Sequence, residues 1–302
     1  MQRVISAIEE RFPGEGLRRD YREELVRVCT AFFQSGLADS KFANEVASGS
    51  DSKFWSCVSE ALVYDRIREM QFSPRAAIGV GPDFLLLDGT RRVWVEVICP
   101  EPVGVPVDWL KIKANHAGTV PHDEILLRWA SAIYAKADKL VGAKNGKEKC
   151  YASTGIVQAN DVYVIAVNGC QLRHGPFAAL LGISQFPYAA EAVFPIGPYQ
   201  VTIDRETQRV VNRGHQERFH IWKSNGAPIP AYMFLDPHYK MVSAIWAVDF
   251  NGGRSIRSSE PSALIHNPLA LNPLRRGFLP SDAEYGATPL EEGEYSFTRL
   301  QE

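Results

Sequence analysis

Two short apolar runs meet at a turn within residues 81–97, and this pattern constrains the fold more than any other stretch. The first run covers residues 84–87, and the second is centred on residues 93–95. Asp88-Gly89 lies between them, and this dipeptide tolerates the positive φ of a tight two-residue turn. The segment is therefore predicted to form two paired antiparallel strands.

Two carboxylates occupy the open end of this predicted hairpin. Asp83 opens the first strand and Glu96 closes the second, so residues distant in sequence converge on one point. A carboxylate in an apolar strand is costly unless something compensates its charge, and Mg²⁺ takes one or two carboxylates as oxygen ligands. Both residues are thus candidate metal ligands. The alternative is structural: Asp83 caps a turn and Glu96 pairs with Arg91 or Arg92.

At these residues the chain resembles the PD-(D/E)XK nuclease superfamily, whose signature is Pro-Asp on one strand and acidic-x-Lys on the next. Pro82-Asp83 and Glu96-Val97 match, but Ile98 stands at the lysine position. The likeness spans residues 51–168, and the phrase at 99–102, Cys-Pro-Glu-Pro, is similar to a bacterial branch of the superfamily. The resemblance implies an α/β fold with a restriction-endonuclease-like core in the order helix, hairpin, helix, strand. It also implies Mg²⁺ or Mn²⁺ as cofactor and nucleic acid as substrate, with DNA favoured.

A helix is predicted before the hairpin, from Ser52 to about Met70, with Asp51 or Ser52 as its N-cap. Glu60 lies at its centre. Nucleases of the resembled kind often place an acidic residue on this helix, so the resemblance makes Glu60 a third carboxylate of the site. The alternative is a surface glutamate that pairs with neighbouring side chains on the same helix.

A second helix is predicted from His122 to Val141, because its apolar residues recur at helical spacing. Lys136 lies roughly 60° from the centre of the apolar face, whereas Arg128 and Lys139 lie more than about 120° away. The resemblance implies that Lys136 replaces the missing strand lysine and stabilises transition-state charge. The alternative is a lysine whose amine reaches solvent. Arg128 and Lys139 are interpreted as a solvated basic stripe or as phosphate contacts that support the site.

The chain is interpreted as a single domain, 1–302. A helical cap over 1–50 precedes the nuclease-like core over 51–170, and residues 171–302 extend the same sheet with further strands. Other predicted elements are helices at 2–12, 20–36 and 177–181, and strands at 76–80, 161–169, 199–204, 208–212, 241–250 and 263–266. The acidic residues after Ser281 are predicted to form a loosely ordered tail.

Composition narrows the class of protein. Hydrophobic residues make up 45% and charged residues 23%, with a net charge of −2, so an extended non-specific nucleic-acid coat is excluded, but a local basic cleft is not. No apolar run is long enough to span a bilayer, and acidic residues near the N-terminus do not fit a signal peptide. A cytoplasmic protein without membrane contact is therefore expected. His116 and His122 are interpreted as surface residues.

Five cysteines without a Cys-x-x-Cys pair predict neither a disulfide framework nor a zinc cage. Three functional hypotheses follow. The first is a metal-dependent endonuclease, and the second is an inactive nuclease-like protein that binds a partner or nucleic acid, in which Ile98 marks the loss of catalysis. The third is a hydrolase that uses Cys99 or Cys170, and it is disfavoured because no spacing pairs either thiol with a histidine. The position of the Lys136 amine distinguishes the first two.

Overall fold

The computed structural model of the chain describes residues 1–74, 80–111, 119–144, 146, 149–175, 177–256, 258–290 and 295–301. The helices in these ranges are α1 (Gln2–Arg11), α2 (Leu17–Gln34), α3 (Phe42–Val46), α4 (Asp51–Ile67), α5 (Val107–Leu110), α6 (His122–Val141) and α7 (Tyr188–Val193). The strands are β1 (Phe84–Asp88), β2 (Arg91–Ile98), β3 (Val162–Asn168), β4 (Ile196–Ile203), β5 (Val210–Glu217), β6 (His220–Trp222), β7 (Pro228–Pro230), β8 (Ala244–Val248), β9 (Ser262–His266), β10 (Ala283–Pro289) and β11 (Tyr295–Arg299). The strand predicted at 76–80 lies, except for Val80, outside the described residues, as does His116.

One mixed sheet of seven strands forms the centre of the molecule, in the order β1-β2-β3-β8-β9-β10-β11. Strands β2, β3 and β8 run parallel, and β1 and β9 are antiparallel to their neighbours β2 and β8. The predicted α/β class is therefore confirmed, and the predicted order helix, hairpin, helix, strand appears as α4, β1–β2, α6 and β3. Of the strands of the C-terminal half, β8 to β11 continue the same sheet as predicted, whereas β4–β5 and β6–β7 form two separate two-stranded sheets.

Helices cover both faces of this sheet, because the central strands are apolar on both sides. In β3 every residue is buried: Tyr163, Ile165 and Val167 pack with α6 and α7. The alternate residues Val164 and Ala166 pack with α2 and α4. A strand that is buried on both faces has a continuous run of apolar residues, and this run is why β3 could be predicted from the sequence.

The start of α4 differs from the prediction by one residue. Ser50 has extended backbone angles, and its hydroxyl accepts a hydrogen bond from the Lys53 amide at 3.4 Å, so Ser50 is the N-cap. Asp51, one of the two predicted caps, is already helical and pairs with Arg11 instead. Ser52, the other, donates its hydroxyl to Glu101 at 2.5 Å.

The helix predicted at residues 177–181 is wrong. Hydrogen bonds between separate segments take up this backbone, because Leu180 accepts from the Tyr188 amide and Phe177 donates to His174. The helix of this region is α7, which begins directly after Pro187. Proline has a fixed φ and no backbone N–H, and it is therefore favoured at the start of a helix, where the N–H groups have no partner within the helix.

The prediction of a loosely ordered tail after Ser281 is also wrong for the described residues, because β10 pairs with β9 and β11 pairs with β10. Glu284 accepts from His266 at 2.8 Å and from the Gly277 amide at 2.8 Å. Phe297 and Tyr285 stack on each other and contact the core beside α6 and α7. Three acidic residues of the predicted tail, Glu291, Glu292 and Glu294, lie outside the described residues.

The strands β4 and β5 form a separate two-stranded ribbon, which confirms the hairpin predicted at 199–204 and 208–212. Its outer part is exposed, including Val201, Ile203 and Val211. No helix in the described part of the chain has the length and apolar content required to cross a bilayer.

Candidate functional site

The hairpin β1–β2 brings the two predicted carboxylates together. Leu85 pairs with Trp94, and the same register continued toward the open end places Asp83 opposite Glu96. Asp83 Oδ2 also accepts a hydrogen bond from the Val97 amide at 2.6 Å, which ties the start of β1 to the end of β2. Both carboxylates therefore lie at one end of the hairpin, as predicted.

The turn at the other end of the hairpin is shifted by one residue from the prediction. Asp88 pairs with Arg91 inside the ladder, so the loop consists of Gly89 and Thr90. Gly89 has a φ of 63°, the left-handed conformation that favours glycine. This loop fixes the register that sets Asp83 against Glu96.

Glu96 is buried and has three partners. Its Oε1 accepts from Lys136 Nζ at 2.6 Å and from Lys139 Nζ at 3.0 Å, and its Oε2 accepts from the Tyr151 hydroxyl at 3.5 Å. The Glu96 side chain is only 1% exposed. The two ammonium groups compensate a carboxylate that burial would otherwise strongly destabilise.

The position of Lys136 agrees with the predicted edge of the buried face of α6, and its amine lies on Glu96 rather than in solvent. Lys139 was interpreted as part of a solvated stripe or as a phosphate contact that supports the site, and its amine lies 3.0 Å from Glu96. Half of its side chain is exposed, but the long aliphatic chain carries the amine back to Glu96 and over the Tyr151 ring. Residues three apart on a helix are neighbours, so both lysines reach one carboxylate.

Glu60 lies on α4 and is partly buried. It is close enough to Asp83, Glu96 and Lys136 for their charges to change its pKa. The structure therefore brings all three predicted carboxylates to the same end of the hairpin. Glu60 comes from the helix layer opposite to that of Lys136.

Burial and the repulsion of neighbouring carboxylates raise the pKa of Asp83 and of Glu60. Burial and then the charge of Glu96 raise the pKa of Asp83 to about 6. The same causes, with Asp83 as the nearest charge, hold the pKa of Glu60 well above its ordinary value. Burial alone would lower the pKa of Lys136, but Glu96 and Asp83 raise it, so this amine stays protonated. Several titratable groups with shifted pKa values at one place are typical of functional sites.

Arg128, predicted to support the site, is not part of it. It lies two helical turns before Lys136, about 12 Å along the axis of α6. There it lines a separate cavity of about 410 Å³ together with Trp222 and Lys223. Its distance along the helix axis excludes it from the carboxylate cluster.

A cavity of about 690 Å³ borders the same face of the hairpin, two residues along each strand from the carboxylates. Leu85, Trp94 and Arg92 line one side, and Thr154 and Ile156 line the other. The segment that contains Tyr151 thus borders both the carboxylate cluster and this cavity.

The donor atoms of the cluster fit a hard divalent cation in kind, because Asp83 and Glu96 offer only oxygen. Within the described ranges, no three or more His, Cys, Asp or Glu side chains are grouped so as to hold a metal ion. Mg²⁺ commonly uses one or two protein carboxylates and completes its shell with water and substrate phosphate oxygens. Asp83 and Glu96 would be those two ligands, and the raised pKa of Asp83 shows a site where added positive charge is favourable.

Tyr151 was not predicted as a member of this site. It lies in a turn after α6, where no periodicity or motif distinguishes it, and it is held by backbone hydrogen bonds to Lys139 and Ile156. His122, interpreted as a surface residue, is in fact largely buried, and its Nε2 lies 2.7 Å from Glu191 Oε2 in a hydrogen bond. The position of Tyr151 beside Glu96 depends on how the turn after α6 folds, so the sequence alone did not indicate it.

Comparison of the chain with protein-family models, with curated proteins and with solved structures gives no match. The motif in β1 and β2 and the geometry of the carboxylate cluster are therefore what any functional assignment rests on.

Proposed function

We propose that the protein is a metal-dependent nuclease that hydrolyses phosphodiester bonds of nucleic acid. One observation carries this proposal: Lys136 Nζ lies 2.6 Å from Glu96 Oε1 at the end of the hairpin where Asp83 lies. The motif resembled by β1 and β2 requires two carboxylates and a lysine. Here the lysine position of the strand is Ile98, and an amine from α6 takes its place.

The residues of the cluster have separate roles in the proposed reaction. Bound between Asp83 and Glu96, Mg²⁺ or Mn²⁺ would lower the pKa of a water molecule and neutralise charge on the scissile phosphate. Lys136 holds Glu96 and offers a positive charge to the phosphate oxygens as negative charge develops in the transition state. Lys139, which is half exposed, is placed to contact the nucleic-acid backbone.

The restriction-endonuclease-like core is part of the same proposal. The order α4, β1–β2, α6, β3 supports it, because this is the order expected of that core. DNA is the substrate that the resemblance favours.

A second candidate function is a catalytically inactive, nuclease-like protein that binds nucleic acid or a protein partner. The observation in its favour is the saturation of Glu96, whose charge is already compensated by two lysines. A carboxylate so paired gains less from a metal ion than a free one. Ile98 at the usual lysine position agrees with this alternative.

Cleavage assays with the full chain distinguish the two. Supercoiled DNA, single-stranded DNA and RNA are incubated with Mg²⁺ or Mn²⁺, alongside Glu96→Gln and Lys136→Met. We expect cleavage that requires the metal and falls by roughly 10²-fold or more in both variants, the size of effect seen when one transition-state contact is removed. Lys53→Gln, an exposed substitution on α4, is the control and should cleave as the wild type does.

Binding measured by calorimetry completes the test. Metal binding that is lost in an Asp83→Ala/Glu96→Ala variant supports the nuclease. Nucleic-acid binding without metal dependence and without cleavage of any of the three substrates would overturn the proposal in favour of the inactive alternative.

A further inference from the structure

A second polar cluster lies at the carboxyl ends of β2 and β3, and the proposed nuclease chemistry does not use it. Cys99 directly follows β2, and Cys170 lies two residues after the end of β3. Their sulfur atoms are 3.8 Å apart. Both residues are almost fully buried, with 8% and 9% of their surface exposed.

Hydrogen-bond donors converge on the Cys99 sulfur. Gln171 donates its side-chain amide to it at 3.3 Å, and the Cys170 sulfur lies 3.8 Å from it. The side chain of Asn168 donates to Ser59 Oγ at 2.9 Å, which leaves the Ser59 proton available for either of the two sulfurs. A sulfur that accepts several hydrogen bonds is stabilised as a thiolate.

The two thiols differ in acidity as a result. Burial alone would raise the pKa of Cys99, but the donors around it lower the pKa below its ordinary value. Burial, the neighbouring Cys99 and Asp249 raise the pKa of Cys170 well above the ordinary value. Cys99 is thus the more acidic of the two thiols and the better nucleophile, and Cys170 holds its proton more tightly.

We propose that Cys99 and Cys170 form a redox-active dithiol, which a small hydroperoxide converts to a disulfide between the ends of β2 and β3. The proximity of the two sulfurs and the asymmetry of their surroundings carry the inference. It does not depend on the proposed nuclease activity.

The chemistry has two steps. The Cys99 thiolate attacks one peroxide oxygen, the O–O bond breaks, and the leaving oxygen takes up a proton to give water or an alcohol, which leaves Cys99 as a sulfenic acid. Cys170 then loses its proton and its sulfur attacks the Cys99 sulfur; the S–O bond breaks and the departing hydroxide takes the proton to give water. The two sulfurs lose two electrons in total, and the peroxide gains them.

The geometry permits this bond after a small movement. The sulfur atoms must approach from 3.8 Å to about 2.05 Å. Cys170 lies in a short 3₁₀ turn, Gly169–Leu172, outside the regular ladder of β3, so rotation of its side chain does not disturb the sheet.

The test is peroxide treatment of the native full chain, followed by alkylation in denaturant and peptide mapping. Chymotrypsin is suitable because cleavage after Tyr151 and Tyr163 separates Cys150 from Cys170. We expect a peptide pair linked through Cys99 and Cys170 that a reductant releases. In Cys170→Ser, a dimedone adduct should accumulate on Cys99 instead, because the resolving thiol is absent.

Cys29 is the internal control, since burial raises its pKa to about 12. Under native conditions we expect Cys99 to react with peroxide roughly ten-fold faster or more than Cys29, because the thiolate is the reactive form. The wild-type map decides the question even if the serine variant does not fold. Linkage of other cysteines, equal oxidation of Cys29 and Cys99, or oxidation of Cys99 without linkage to Cys170 would each overturn the proposal.

Discussion

At the scale of single residues, Asp83 works against the stability of the fold. Its pKa of about 6 in the folded protein lies above the ordinary value of about 3.9 for an unfolded chain. The folded state therefore binds more protons between these values, and the free energy of unfolding falls as the pH rises from about 4 to about 6. Above this window the full penalty of an ionised Asp83 remains.

Asp83→Asn should remove this pH dependence, because asparagine keeps an acceptor for the Val97 amide but has no charge. Above pH 6 we expect the variant to be more stable than the wild type, with roughly 3 kcal/mol as the upper limit. Urea unfolding between pH 4.5 and 8 measures the effect. Asp88→Asn is the matched control at the other end of β1, where the aspartate pairs with Arg275, and it should give no gain. Lower stability of Asp83→Asn at neutral pH would contradict the electrostatic argument.

The two lysines on Glu96 should differ in their contribution to stability. Lys136→Met removes the more buried amine and leaves three carboxylates with one cation, so we expect the free energy of unfolding to fall by about 1–3 kcal/mol. Lys139→Met removes a half-exposed amine and should cost less than about 1 kcal/mol. Unfolding by urea at pH 7.5 compares them. Equal losses in the free energy of unfolding would contradict this difference, because they would show that both lysines compensate the charge of Glu96 to the same extent.

At the scale of elements, the N-cap of α4 gives a direct test of the local structure. Ser50→Ala removes the acceptor for the Lys53 amide and should lower the free energy of unfolding by about 1 kcal/mol. Ser52→Ala, two residues later, removes a surface hydrogen bond to Glu101 and should cost less. Thermal unfolding of both variants measures the difference. A larger loss of stability for Ser52→Ala than for Ser50→Ala would indicate that Ser52, one of the two predicted caps, is the N-cap.

The same scale shows what the sequence could predict. Helix α6 and strand β3 were predicted closely, because periodicity and apolar runs are local properties of the chain. Lys136 was placed by that periodicity. The contact of Lys139 with Glu96 was not predicted, since a helical wheel gives the direction of a Cα–Cβ bond and not the reach of a long side chain. Tyr151 was missed because its position depends on the fold of an irregular turn.

At the scale of the whole molecule, the last two strands complete the sheet. A chain that ends at Ser281 would lose β10 and β11 and expose the edge of β9, so we expect lower solubility and a lower melting temperature. The matched change shortens the ribbon by replacing residues 200–213 with a tight turn. The outer ribbon is exposed, so its loss should leave the melting temperature within a few degrees of the wild type. Calorimetry measures the melting temperatures of both variants. An unchanged melting temperature of the chain that ends at Ser281 would contradict the pairing of β10 with β9.

Strand β3 has its next neighbour in the sheet, β8, far along the chain. On the ribosome, which adds about 5–20 residues per second, β3 is complete several seconds before β8 is synthesised. During that interval one edge of a largely apolar strand lacks its partner, and the Asn168 side chain lacks the Phe250 backbone to which it bonds in the finished fold. Synthesis of this chain thus includes an aggregation-prone interval, so its yield in cells should depend on translation speed and on chaperones that shield nascent chains.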